Sequence, residues 1–278
     1  MDRLEAHRQW FARLITASAG VPPTNERLVA AFASVPRERF LGPGPWQVFT
    51  RSGYVETPSD DPALIYQDVT VAIKKESQVN NGQPMLHAAC LAALDVKEGE
   101  TVVHVGAGGG YYSAILATLA GPTGRILAYE IDPELAARAR TNLAGYPNVE
   151  VRDRSGADGA LTACDALYVN AGATAPLDAW VEALRPGGRL LFPLTPAQGP
   201  GYMFLITRTA GDRCAARFVC GAMFIPCIGA RDDDTARRLS EAFAGGGIAT
   251  VRSLRRGSEP DATSWFAGRG WWLSMAAE

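Results

Sequence analysis

The chain has 278 residues, 47% of them hydrophobic and 20% charged, a globular balance that argues against a disordered chain. A formal net charge of −2 gives no overall electrostatic pull toward nucleic acid or an anionic membrane. No apolar run is long enough to span a bilayer, and Met1 to His7 lack the basic-then-apolar layout of a signal peptide. The five cysteines, Cys90, Cys164, Cys214, Cys220 and Cys227, contain no Cys-x-x-Cys pair and read as reduced thiols of a cytoplasmic protein. With only His7, His87 and His104 beside them, no metal site is expected.

Apolar positions at Leu4, Trp10, Phe11, Leu14 and Ile15 predict a first helix, stopped by Val21-Pro22-Pro23. Thr24 is the expected N-cap of a second helix through Leu28, Ala31 and Phe32. Residues 42–63, rich in Gly and Pro, read as an irregular loop. Val69 to Ile73 form a short strand candidate, and the polar segment from Lys74 to Gln83 follows it. That segment reads either as a ligand cover or as a plain connection. Pro84 suits the first turn of a helix through Leu94.

From Val102 the pattern alternates. An apolar strand breaks into Gly106-Ala107-Gly108-Gly109-Gly110, then a helix through Leu119. Strands are expected at Arg125–Glu130, Val149–Asp153, Ala166–Asn170 and Arg189–Pro193. Helices are expected from Pro133 through Leu143 and from Leu177 to Leu184, with Arg185-Pro186-Gly187-Gly188 as a turn. Met203–Thr207 and Phe218–Ile225 read as an antiparallel edge hairpin. Asp232, Asp233 and Asp234 read as the cap of a further helix, with Asp233 and Arg237 as an i,i+4 pair. Val251–Leu254 and Trp271–Ser274 are strand candidates, and Trp265, Phe266, Trp271 and Trp272 read as packing. The expected fold is α/β, doubly wound and Rossmann-like, with a seven-stranded mostly parallel sheet and an antiparallel edge hairpin. N-terminal helices and a small C-terminal α+β extension flank it, giving regions 1–83, 84–225 and 226–278.

In such a sheet, ligands bind at the carboxyl ends of the strands. Gly106, Gly108 and Gly110 follow the first strand. Glu130 ends the second, where a carboxylate can accept both hydroxyls of a ribose. Asp153 ends the third and could meet an adenine amine, and Asn170 ends the fourth. His104, inside the first strand, reads as a core histidine and not as a base.

Val103 to Tyr112, Tyr129-Glu130, Asp165 to Val169 and Leu184 to Leu190 resemble the successive motifs of class I S-adenosylmethionine-dependent methyltransferases. Val35-Pro36-Arg37-Glu38-Arg39-Phe40, Gly82-Gln83-Pro84, Gly110-Tyr111 and Phe192-Pro193 are similar to the marks of protein-L-isoaspartate O-methyltransferases. The resemblance covers roughly residues 24–225 and implies S-adenosyl-L-methionine as cofactor and a carboxylate acceptor. That acceptor is a peptide, protein or small metabolite, with no nucleic acid and no membrane. Donor contacts are expected from Gln83, Gly106, Ala107, Gly108, Gly110, Tyr111, Glu130, Ile131, Asp153 and Asn170. Acceptor positioning is expected from Asn80, Asn81, Gly82 and Thr174, with no general base. Gly82 stands where the family usually has Ser, and residues 226–278 exceed its minimal domain. Natural-product O- or N-methylation, or a silent cofactor-binding domain recruiting a protein partner through the extension, are therefore the alternatives.

Overall fold

The computed structural model describes residues 2–209 and 214–277. In chain order the helices and strands begin α1 (Arg3–Ser18), α2 (Glu26–Ser34), β1 (Gln47–Thr50), β2 (Gly53–Glu56), β3 (Ala72–Lys74) and β4 (Val79–Asn80). Next come α3 (Pro84–Leu94), β5 (Thr101–Val105), α4 (Tyr111–Ala120), β6 (Arg125–Glu130), α5 (Pro133–Asn142) and β7 (Val149–Asp153). The rest are β8 (Cys164–Val169), α6 (Asp178–Glu182), β9 (Leu184–Leu194), β10 (Gly201–Arg208), β11 (Cys214–Ala222), α7 (Asp233–Ala244), β12 (Ser253–Arg256), β13 (Ser264–Ala267) and β14 (Trp271–Ser274). The fold is mixed α/β and methyltransferase-like, with parallel strands and antiparallel extensions. The contacts divide it into two units, Met1–Glu100 with Ala107–Arg154, and Thr101–Gly106 with Ser155–Glu278. No helix among the described residues is long and apolar enough to cross a membrane.

In the first unit, α1 buries Phe11 and Ile15, and α2 buries Leu28 and Phe32. The cap of α2 is Asn25, not Thr24: its side chain accepts from the Leu28 amide at 3.3 Å. The stretch expected to be irregular contains the hairpin β1–β2. Phe49 and Tyr54 face each other across it at 5.3 Å, and the Thr50 hydroxyl donates to the Gly53 carbonyl at 2.7 Å, closing the turn. Leu41, Trp46, Ile65 and Val71 form a small core beneath it. The strand expected at Val69–Ile73 is shorter and shifted toward the C-terminus, as β3, paired with β4. Strands β6 and β7 run parallel, in a register that puts Glu130 beside Asp153.

In the second unit the strand order is β13-β14-β12-β11-β10-β9-β8-β5. The pairs β5–β8 and β8–β9 are parallel, and the hairpin β10–β11 adds antiparallel strands as expected, though not at the sheet edge, because β12 pairs with β11. Arg185 to Gly188 do not form a turn ahead of the strand. The β8–β9 register jumps from Cys164↔Leu184 to Ala166↔Arg189, so these four residues bulge out of β9. The C-terminal extension is α+β, as expected, but its strands join the sheet instead of standing apart. β12 pairs with β11 through Cys214↔Leu254 and Ala215↔Ser253. This unit alone therefore links eight strands, more than the seven anticipated. Asp232 caps α7 by accepting from the Thr235 amide at 2.8 Å. Arg237 pairs with Asp234 at i,i+3, one residue closer than the expected Asp233. Trp265 packs on Phe218 and Phe243, and Phe266 on Trp271.

Candidate methyl-transfer site

The glycine turn belongs to the first unit from Ala107 onward. Ala107 donates to the Tyr129 carbonyl at 3.0 Å, and the Gly108 amide donates to Glu130 Oε2 at 2.6 Å. Glu130 Oε1 accepts from the Asp132 amide at 3.0 Å, so the carboxylate joins the turn to the start of α5. Glu130 is 7% exposed. Burial raises its pKa above the usual carboxylate range, and the backbone bonds oppose that rise. Asp153, its neighbour in register, is exposed, with Arg140 at 3.8 Å. Ile131 is 45% exposed, an apolar surface beside the carboxylate. Tyr111, by contrast, has a buried ring against Phe40 and Tyr112. Gly109 explains part of the glycine run by packing: a Cβ there would lie 2.6 Å from the Phe40 carbonyl oxygen.

A strap over this turn is fastened by ions. Lys74 Nζ lies 2.6 Å from Asp132 and 2.9 Å from Glu134, and Arg138 donates to the Ile73 carbonyl at 3.2 Å. These bonds bring Ile73 Cδ1 to within 3.0 Å of the place where a Gly108 Cβ would stand. A cavity of about 300 Å³ opens on the strap between Pro43, Gln47, Lys75 and Glu134, and none of the expected site residues lines it.

The Asn80 to Gln83 segment lies in the same unit. Asn80 Oδ1 accepts from the Gly82 amide at 2.9 Å, an Asx turn. Asn81 is anchored through its amide to the Val71 carbonyl at 2.9 Å and through Oδ1 to Arg37 at 2.9 Å. Gln83 donates to Asp68 at 2.7 Å, and Asp68 in turn accepts from the Met85 amide in the first turn of α3. Arg37, Asp68 and His87 were not among the expected site residues. Their partners lie far away in sequence, so no local spacing marks them. Arg37 is fully buried, and its guanidinium also donates to the carbonyls of Ile65, Gln67 and Val69. Burial lowers its pKa, and its neighbours Tyr112 and Tyr111 oppose that.

The second unit holds the remaining candidates. Asn170 Nδ2 lies 2.8 Å from His104 Nε2, while its Oδ1 is buried without a partner. Thr174 is 1% exposed, and its hydroxyl oxygen accepts from the Asp232 amide at 3.0 Å, tying it to the start of α7. His104 is a core residue, stacked with Tyr168 at 5.6 Å and pushed down to about 3 by burial. It regains its ordinary pKa of about 6.5 only on unfolding. A depressed folded pKa means the stabilisation is whole above that value and is lost as pH falls. By pH 5 about 2 kcal/mol should be gone. Denaturant melts at pH 7.5 and pH 5 should show that loss in the native chain and a smaller one in His104→Asn.

Residues 18–232 match the family model described as protein-L-isoaspartate(D-aspartate) O-methyltransferase. The chain belongs to that family. It is therefore an S-adenosylmethionine-dependent protein-L-isoaspartate O-methyltransferase by descent, supported by its curated relatives. It is 30% identical over 205 residues to the Brucella anthropi protein-L-isoaspartate O-methyltransferase, covering 73% of this chain and 86% of the relative. The Aeropyrum pernix enzyme of the same description is 34% identical over 212 residues, 74% of each chain. A Plasmodium falciparum structure described as a putative member, in complex with S-adenosyl-L-homocysteine, shares the fold at TM-score 0.64 and 17% identity. That comparison covers 80% of this chain and 98% of the other. The family match ends at Asp232, the cap of α7, so α7 and β12 to β14 lie beyond it.

One feature of this member follows from Gly82. Its φ is +72°, and a Cβ on it would stand 2.2 Å from His87 Nε2. The His87 ring lies flat on Tyr112, with centroids 3.6 Å apart and planes 12° apart. The imidazole thus fills the space a side chain at position 82 would need.

Proposed function

We propose that the methyl acceptor is the carboxylate of an isoaspartyl residue within a peptide or protein. The donor is held chiefly by strand-end residues of the first unit. The acceptor reading rests on the family match over residues 18–232, and the donor reading is carried by Glu130 beside Asp153 on adjoining parallel strands, with the Gly108 amide bonded to Glu130. Glu130 would take the ribose hydroxyls, Asp153 the adenine amine, and Ile131 an apolar face of the base. Gly106, Ala107, Gly110, Tyr111, Gln83 and Asn170 remain in the proposed contact set on the strength of the motif. When bound, S-adenosyl-L-methionine supplies a methyl group activated by its sulfonium. A carboxylate is ionised at neutral pH, so the chain has no proton to remove and needs no general base. Its task is to hold the carboxylate in line and keep water away, and positioning alone can contribute about 7–11 kcal/mol. Asn80, Asn81 and Gly82 would hold the acceptor, with Thr174 shaping the loop after β8. The five free cysteines agree with a reducing, cytoplasmic setting.

The test is transfer of tritiated methyl to an isoaspartyl peptide, its aspartyl twin and free dicarboxylic acids. Label should enter the isoaspartyl peptide alone and leave on mild base, because methyl esters hydrolyse where ethers and amines do not. Label on the small acids, or a base-stable product, would overturn the reading.

A further inference from the structure

The Asn81 amide has a defined orientation. A guanidinium only donates, so Arg37 Nη2 at 2.9 Å fixes Oδ1 as the near atom. The amide NH₂ then faces away from Arg37. It is buried and has no hydrogen-bond partner, in a residue only 9% exposed. Arg37 cannot yield, because the carbonyls of Ile65, Gln67 and Val69 hold its guanidinium at 2.6, 3.1 and 2.5 Å. The Asn81 backbone is fixed as well, through its bond to Val71. A donor is thus kept rigid and unsatisfied one residue before Gly82. Buried donors are rarely left so, and one that is calls for an explanation, of which a ligand arriving from outside is one.

We propose that Asn81 Nδ2 donates to one oxygen of the methyl-acceptor carboxylate, with Arg37 as the positioning residue that sets the amide. This rests on the acceptor reading above. The chemistry suits a carboxylate nucleophile. A neutral amide binds one oxygen and leaves the charge on the group available for the other oxygen to react. A guanidinium in direct bidentate contact would engage both oxygens and hold their charge. Arg37 at one remove supplies order without that cost.

Asn81→Asp tests this with little change of shape. Its Oδ1 still accepts from Arg37, while the donor becomes an anionic oxygen. The Michaelis constant for an isoaspartyl peptide should rise about 100-fold through like-charge repulsion. The affinity for S-adenosylhomocysteine and the melting temperature should stay near those of the native chain. Arg37→Lys should raise the same constant about 10-fold, because one ammonium cannot hold Asn81 and three carbonyls together. If that variant fails to fold, Asn81→Asp decides alone. A Michaelis constant within twofold of native in Asn81→Asp overturns the inference, and so does an equal loss of S-adenosylhomocysteine affinity. A native chain inactive on the isoaspartyl peptide instead overturns the acceptor reading, and the inference with it.

Discussion

Glu130→Ala should abolish useful binding of the methyl donor. Titration calorimetry with S-adenosylhomocysteine should read a loss of about 100- to 10,000-fold, the equivalent of two charge-assisted hydrogen bonds at about 1.5–3 kcal/mol each. The loss has a second source within the chain. The Gly108 and Asp132 amides both bond to this carboxylate, so its removal frees the turn that faces the ligand. Glu130→Gln keeps one carbonyl oxygen and should fall between native and Ala. Burial raises the Glu130 pKa, so donor affinity in the native chain should weaken on acidification at a higher pH than an exposed glutamate would allow. The Gln variant should lack that dependence. An affinity unchanged by Glu130→Ala would remove Glu130 from the site.

What the sequence makes legible here follows from the range of the interactions. Strands β6 and β7 are readable to the residue, since a buried apolar run ending in an acid (β6) and a Val-Glu-Val alternation ending in an acid (β7) need no partner to be recognised. The start of α3 at Pro84 is local in the same way. The hairpin β1–β2 is not, because each strand is four residues long and its signal is the cross-strand pair Phe49–Tyr54. Thr24 and Asn25 are both cap-forming residue types, Asn the stronger, and the hydrogen bond to the Leu28 amide falls to Asn25. The bulge at Arg185 to Gly188 comes from pairing with β8, a contact that Pro-Gly-Gly alone cannot announce. In the candidate site, the adjacency of Glu130, Asp153 and the glycine turn is legible because fold topology puts strand ends together. Arg37, Asp68 and His87 are not. Arg37 reaches Asn81 across 44 positions and Asp68 reaches Gln83 across 15, distances at which periodicity carries no information.

Gly82→Ser should be the most damaging single change in the Asn80 to Gln83 segment, although serine is the residue the family usually carries there. Two terms add. A non-glycine residue at φ +72° costs about 1–2 kcal/mol, and overpacking the half-buried position against the buried His87 ring costs about 1–3 kcal/mol more. The ring of His87 cannot swing aside cheaply. Tyr112 is stacked on one of its faces, and His87 itself is 2% exposed. Denaturant unfolding should therefore register about 2–5 kcal/mol of destabilisation, with isoaspartyl methylation lost in step because the serine displaces the segment proposed to hold the acceptor. The double variant Gly82→Ser with His87→Ala separates the terms. Removing the ring relieves the collision and leaves the backbone cost and a cavity on Tyr112, so stability should recover in part while a hydroxyl becomes available at position 82. If methylation recovers with it, Gly82 and His87 are alternative ways of furnishing the same spot, and the glycine is a concession to the imidazole. If Gly82→Ser alone is as stable as the native chain, His87 is not held over Gly82 and that pairing has no bearing on the acceptor.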